Sequence, residues 1–405
     1  MAVPEDSLPM RKRDRLREVL YQIFGGLNVL MTSVGINFLF MGPGAIVWSY
    51  SSRHYRFFSN ILQAMWIDGV SYGLPAPVLV ISGDMPPMKQ NLDDDVHSAI
   101  IISNHTVDYD WYCLWLLGRA RGYHGVMKII LKDSLKHLPV FGWGMQYFEF
   151  IFLARDWSKD KHNLYKLLRS FVHDDMPLWL LLFPEGTTIC KESLEKSSNF
   201  AKKSGRRVFD KHLLSPRTRG FDACLDAMKV GTPTVYDITM AYDSYSGEIV
   251  TNDMGYNRNI DVNIPTMLKL LSGERCPFVH FHIQQILYED IDLHNTEKFL
   301  DDLWAAKYDR MERFTKLNKF AEEDTGGKAI HETVAINPTS AIIAWAAAIL
   351  GSYWTYQLIK YHPYIFAIIF LPFAAYRTLC RLIDWDYGKF GEPLEASKAS
   401  GKKEL

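Results

Sequence analysis

A histidine and an aspartate stand five residues apart in "SNHTVDYDWY", Ser103 to Tyr112, directly after the apolar run "AIIIS". A neutral imidazole can take a proton from a hydroxyl near neutral pH. A carboxylate held against its other nitrogen fixes the tautomer and stabilises the imidazolium that forms. His105 and Asp110 are therefore a candidate general base and its orienting acid. The chain has no Gly-x-Ser-x-Gly elbow and no paired cysteine to serve as nucleophile, which points to direct transfer onto a substrate alcohol. A lone histidine beside a strand is structural more often than not, so the pair needs support from other residues.

Some support comes from "FPEGTT", Phe183 to Thr188. Pro184 ends a strand, Gly186 lets backbone amides approach an anion, and Thr187 and Thr188 offer hydroxyls and a helix start. Glu185 would repel a phosphate directly, so it is expected to hold a substrate hydroxyl or to orient a basic partner. Arg155, in "ARDWSKDK", is the best candidate for that partner. Its guanidinium stays charged and can grip a phosphate through two parallel hydrogen bonds.

These residues need elements to hold them. The apolar runs "AIIIS", "VMKIIL", "YFEFIFL", "LWLLLF", "TVYDITMAY" and "FVHFHIQQIL" alternate with helix-like stretches, which predicts an α/β sheet covered on both faces. Ligands bind such sheets where strands give way to loops. The polar clusters "NHTVDYD", "ARDWSKDK" and "PEGTT" each follow a strand-like run and can converge on one end of the sheet. No Gly-rich fingerprint or Walker lysine follows any of the runs, so dinucleotide and ATP chemistry are unsupported.

Charge excludes another class. With 45 basic and 46 acidic residues in 405, there is no basic excess to coat a polyphosphate, and nucleic acid is not an expected partner. The five cysteines have no zinc-binding or disulfide-scaffold spacing and read as core or bystander thiols. Metal-dependent hydrolysis with His105 and Asp110 as ligands lacks further ligands at suitable spacing, and no metal site is expected.

The apolar residues, 48% of the chain, concentrate at its two ends and point to a membrane. Leu20 to Tyr50 holds no formal charge; a break at Gly42-Pro43-Gly44 would leave Leu20 to Met41 as a span of the roughly 20 residues a bilayer requires. Ile61 to Ser82, interrupted by Asp68, reads as an interfacial segment. Ser340 to Ile359 and Pro363 to Leu379, divided by "KYHP", read as a helical hairpin with tyrosines and a tryptophan at its turn. The expected organisation is a basic leader over 1–18, a membrane-embedded or interfacial segment over 19–82, an α/β domain over 83–335, a two-helix membrane hairpin over 336–382 and a polar tail over 383–405.

A two-pass hairpin returns the tail to the side of the central domain, and the tail's lysines and arginines favour the cytosol. The ending "KKEL" reads as a dilysine retrieval signal or as a relaxed lumenal one, either of which suggests the endoplasmic reticulum. Because "RKRDRLRE", Arg11 to Glu18, is basic as well, the first apolar region has to re-enter or to cross an even number of times.

Together these blocks resemble the glycerophospholipid acyltransferase family, whose four motifs are matched in order by "NHTVDYD", "IFLARDW", "FPEGTT" and "VYDITMAY". The family also favours a lysine, a proline and a glycine, matched by Lys132, Pro139 and Gly142. Finer features, "DWSKDK", "SNFAKKSG", "LSPRTRGF" and "VHFHI", are similar to the lysocardiolipin and lysophosphatidylinositol acyltransferase branch. Thr188 departs from the arginine or serine of many lysophosphatidate enzymes. The resemblance implies an α/β acyltransferase domain with a mixed sheet, membrane segments at both ends, and transfer from acyl-CoA to a lysophospholipid. By the same analogy His105 is the base and Asp110 orients it. Arg155, Glu185, Gly186 and Thr187 bind the acceptor, with Lys132 matched beside them, and Arg217 and Arg219 help with headgroup or CoA phosphates. Acyl-CoA is then a co-substrate with no resident cofactor, and the bilayer is a partner; oligomeric state is not legible. A non-catalytic lipid-binding protein of the same fold is the alternative from another class.

One further expectation concerns modification. The only acceptable N-glycosylation triplet is Asn104-His105-Thr106, and a glycan there would sit on the proposed base, so Asn104 is expected to be unmodified.

Overall fold

Continuous apolar strands alternating with one-faced helices bury both only when helices cover each side of a sheet. The computed structural model describes residues 12–40, 44, 47, 50–89, 98–154, 156–249, 265–271, 273 and 276–364. Its strands are β1 (Val78–Gly83), β2 (Ala99–Ser103), β3 (Met127–Lys132), β4 (Ile151–Leu153), β5 (Trp179–Leu182), β6 (Thr234–Tyr242), β7 (Phe278–Ile286) and β8 (Ala329–Glu332). They form one eight-stranded sheet in the order β4-β3-β5-β2-β6-β7-β1-β8. The first five in that order are mutually parallel, β7 runs antiparallel to β6, β1 parallel to β7, and β8 antiparallel to β1. The sheet is therefore mixed, as the resemblance implied.

The helices are α1 (Lys12–Leu39), α2 (Ser52–Ser71), α3 (Asp110–Arg121), α4 (Phe141–Tyr147), α5 (Trp157–His173), α6 (Lys191–Ser204), α7 (Thr218–Met228), α8 (Met267–Leu271), α9 (Thr296–Leu317), α10 (Glu322–Thr325) and α11 (Thr339–Tyr361). The two-residue repeat of β2 sends its side chains into two cores. Ile101 packs with Leu181, Ile238 and Trp115 under α3, while Ile100 and Ile102 pack with Leu168 of α5, Leu225 of α7 and Trp304 of α9.

Each of the six apolar runs contributes a strand, with one difference in extent. "YFEFIFL" is extended only over Ile151–Leu153, because α4 reaches Tyr147 and Glu149 takes a left-handed φ of 57° that interrupts extension. Strand β1 falls in the segment assigned to the membrane, so the expected boundary at residue 82 cuts through a strand of the sheet.

Helix α2, part of which was expected to lie at an interface, is fastened to the α/β domain by polar groups. Buried Arg56 pairs with Glu149 at 3.0 Å and Asp174 at 2.7 Å. Gln63 donates to the carbonyl oxygens of His124 and Met127, and Asp68 pairs with Arg119. The ridge of α1 that carries Asn28, Thr32, Ser33 and Asn37 is buried in turn. Asn28 donates to the carbonyls of Gly69 and Tyr72 at the end of α2 and accepts from Trp345 of α11, and Asn37 donates to the Val140 carbonyl before α4.

Among the described residues, two helical segments, Val19–Leu39 and Thr339–Tyr361, are long and apolar enough to cross a membrane. Leu16, Leu20, Ile23, Leu27 and Leu30 of α1 are exposed, whereas Ile36 and Phe40 are inside the core. The second arm of the expected hairpin and the polar tail lie outside the described residues from 365 onward, as do the first eleven residues of the leader.

Candidate active site

Strands β4, β3, β5, β2 and β6 run the same way, so their C-terminal ends share one edge of the sheet. The loop after β2 carries His105, the turn after β5 carries Glu185 and Gly186, and β6 ends in Tyr242. The sequence clusters converge at this edge because a parallel sheet sends successive strand ends to one side.

Asp110 opens α3 and is fully buried. Its Oδ2 accepts from the backbone amides of Thr106 at 2.6 Å and Val107 at 3.0 Å, and lies 2.9 Å from Nδ1 of His105. Tyr242 donates its hydroxyl to the other carboxylate oxygen. An ionised carboxylate only accepts, so Nδ1 carries the proton and Nε2 is left as the basic nitrogen. The His105 side chain is 18% exposed while that of Asp110 is sealed, so the couple presents one nitrogen outward and keeps its acid dry. Burial and the neighbouring Asp110 push the Tyr242 phenol well up, which keeps it a neutral donor.

The residue before the histidine locks the loop to β6. Asn104 is fully buried, its amide donates to the Met240 carbonyl at 2.9 Å, and its oxygen accepts from the Met240 amide at 2.8 Å. Both groups of the side chain are thus engaged inside the protein, and no room is left for a glycan.

The turn after β5 meets this loop directly. The Phe183 ring stacks on the His105 imidazole at 4.1 Å between centroids, and the Ile189 amide donates to the His105 carbonyl at 3.0 Å. Gly186 adopts a φ of 74°, which glycine reaches without strain. The Arg217 side chain lies across it, with Cδ and Nε each 3.5 Å from where a Cβ would stand. Arg217, at the start of α7, also donates its backbone amide to the Pro184 carbonyl at 2.8 Å.

Glu185 differs from the expectation that it faces a substrate hydroxyl or a basic partner. It is 2% exposed, and Oε1 accepts from the Trp304 indole of α9 at 3.3 Å. Burial pushes its carboxyl well above the usual range, opposed by the Leu214 amide, the Trp304 indole and the His105 amide. The strand turns at Pro184 with this side chain pointing into the core, so Glu185 supports the site from behind.

Thr187 is half-buried in the same turn, and Lys132 is exposed at the end of β3, two strands from β2. Arg155 is outside the described residues; its neighbour Ala154 is held by Asp160 at 2.8 Å, and Asp156 caps α5. Among the described residues no cluster of three or more histidine, cysteine or acidic side chains could hold a metal ion. Tyr242, Trp304 and the stacking role of Phe183 were missed from the sequence. Tyr242 ends an apolar block whose strand finishes at the site edge, a signal that could have flagged it; Trp304 lies on a distant helix and gave none.

A parallel-edged α/β sheet with this pair at its rim has the make-up of an acyltransferase, and a family model described as "Acyltransferase" matches residues 88–241, a stretch that includes His105, Asp110, Gly186 and Arg217. Lysocardiolipin acyltransferase 1 of Danio rerio is 30% identical over 303 residues, covering 71% of this chain and 70% of that protein. Lysocardiolipin acyltransferase 1 of Gallus gallus is 29% identical, covering 84% and 86%. A probable 1-acyl-sn-glycerol-3-phosphate acyltransferase 5 of Arabidopsis thaliana is 28% identical, covering 89% and 92%. The chain belongs to the glycerophospholipid acyltransferase family.

Proposed function

We propose that the protein is a membrane-bound acyl-CoA:lysophospholipid acyltransferase that remodels anionic glycerophospholipids, with lysophosphatidylinositol or lysocardiolipin as the favoured acceptor. The observation that carries this reading is the outward nitrogen of His105, backed by an Asp110 carboxylate holding two backbone amides and a tyrosine hydroxyl. In the reaction His105 Nε2 removes the proton from the acceptor's free hydroxyl as that oxygen attacks the thioester carbonyl. Asp110 steadies the imidazolium. When the carbon–sulfur bond breaks, the same proton passes to the departing CoA sulfur, leaving the ester and a free thiol. No covalent intermediate on the protein is required. Arg217 over Gly186 supplies positive charge beside the base, Lys132 ends β3 at the same edge, and Arg155 comes two residues after β4 in the sequence.

The same reading puts the protein on the endoplasmic reticulum membrane with the α/β domain facing the cytosol. The last part of α1 packs inside the domain and its exposed apolar stretch, Val19 to Leu30, measures about 18 Å at 1.5 Å per residue, short of a hydrocarbon core of about 30 Å. A helix that dips into one leaflet and returns through α2 keeps the basic leader on the side of the domain. The conflict between two basic flanks disappears under this arrangement.

A second acceptor is favoured by one finding: a relative named probable 1-acyl-sn-glycerol-3-phosphate acyltransferase 5 matches 89% of the chain, against 84% for the Gallus gallus lysocardiolipin enzyme. Radiolabelled acyl-CoA offered to the purified protein with a panel of lysophospholipids separates the readings. Faster labelling of lysophosphatidylinositol or lysocardiolipin supports the proposal, and faster labelling of lysophosphatidate supports the alternative. No labelling of any acceptor would leave a lipid-binding protein.

A further inference from the structure

The segment between α6 and α7, residues 205–217, runs from a surface helix to the edge of the site, and one face of α9 grips it along its length. Arg206 pairs with Asp301, donating from Nε to the two carboxylate oxygens at 3.1 and 2.9 Å. Arg207 pairs with Asp309 at 3.0 Å, Tyr308 donates to Asp210, and His212 meets Glu312 at 2.7 Å. Asp301, Trp304, Tyr308 and Glu312 are spaced by three or four residues and so share one stripe of the helix.

Two of these grips end next to Arg217. The Arg206 side chain is 6% exposed, and besides holding Asp301 it donates to the Pro216 carbonyl at 2.9 Å, fixing the peptide unit that leads into Arg217. On the other side the Arg217 amide is held by Pro184, whose neighbour Glu185 is held by Trp304. A single turn of α9, Asp301 to Trp304, therefore braces both partners of the contact between Arg217 and Gly186. Arg206 and Arg207 are neutralised by carboxylates, whereas the exposed Arg217 guanidinium has no hydrogen-bond or ion-pair partner among the described residues. A braced backbone carrying an unneutralised guanidinium beside a catalytic turn suits recognition of an anion through two parallel hydrogen bonds.

We propose that Asp301 and Arg206 are positioning residues that aim Arg217 at a phosphate group of one of the two substrates, an inference that rests on the acyl-transfer reading and deepens it. The phosphate belongs to the lysophospholipid or to CoA, and the kinetics tell them apart. The full-length enzyme in detergent is compared with Arg217→Ala, Asp301→Asn, Asp301→Glu and the Arg217→Ala/Asp301→Asn double variant, measuring kcat, the KM for each substrate and the melting temperature. Loss of a hydrogen bond to a charged group predicts a KM about tenfold higher or more for Arg217→Ala, with kcat nearly unchanged. Asp301→Asn is expected to raise the same KM, the double variant to match Arg217→Ala alone, and Asp301→Glu to stay near the parent. A raised KM for the lysophospholipid assigns the contact to the lipid phosphate, and a raised KM for acyl-CoA assigns it to CoA. Unchanged KM values in Arg217→Ala, additive effects in the double variant, or an Asp301→Asn protein that only melts earlier would each overturn the proposal. Absence of acyl transfer by the parent enzyme would overturn the functional reading beneath it as well.

Discussion

Two acid–base couples sit on neighbouring strands of the sheet and are built to opposite ends. Lys307 of α9 and Asp237 of β6 are both fully buried, 2.5 Å apart, with the ammonium also donating to the Ile238 carbonyl at 2.6 Å. His105 and Asp110, at the end of β2, share the burial of the acid but leave one nitrogen of the base at the surface. The first couple is sealed away from any substrate and fastens a helix to a strand. The second spends its acid's capacity on four donors so that the imidazole can face outward. A charged pair becomes a candidate for chemistry when one member is held firmly and still has an unused atom.

The sealed couple should therefore govern stability. Lys307→Ala strands the Asp237 carboxyl in the core and should cost about 3–5 kcal/mol in chemical denaturation. Replacing both residues by apolar ones should recover most of that loss. If Lys307→Ala instead folds normally and loses activity, the distinction between the two couples fails.

Another buried lysine sharpens the contrast because its direct partners are neutral. Lys128 of β3 is 1% exposed and donates to the amide oxygens of Asn60 at 3.0 Å and Gln63 at 2.8 Å. Burial pulls its ammonium down to about 7 from an ordinary 10.5. The unfolded chain thus binds more protons than the folded one between those values, and this group makes stability rise with pH across that window. Between pH 7 and 9 the gain should be about 2 kcal/mol, and Lys128→Met should remove it. Melting temperatures at both pH values test this; equal pH dependence in the two proteins would contradict it.

The smallest expected effect concerns the support under the open couple. Tyr242→Phe removes one of the donors to Asp110 and should lower stability by about 1.5 kcal/mol, while leaving His105 paired and turnover reduced only several-fold. A loss of turnover as large as that of a base deletion would move Tyr242 into the chemistry.

How far these features can be read from sequence depends on how local they are. His105 and Asp110 were legible because the loop and first helical turn that join them are consecutive in the chain. The strand ends were legible because buried parallel strands are written as unbroken apolar runs. The surroundings of Glu185 were not legible for the opposite reason: nothing within "FPEGTT" shows which way its carboxyl turns, and the indole that donates to it lies 119 residues later. The division of α1 was not legible, because an apolar helix reads the same whether its residues are exposed, as Leu20, Ile23, Leu27 and Leu30 are, or packed in the core, as Ile36 is. The buried Asn28, Ser33 and Asn37 were the available hint, since polar side chains spaced along one ridge need partners that lipid cannot supply.

The most direct test of the central claim is acyl transfer by His105→Ala compared with the parent protein in the same membranes. With the base removed, turnover should fall by about 10²- to 10⁴-fold, while melting temperature and membrane attachment stay as they were. Near-parental transfer by a folded His105→Ala protein would contradict the account.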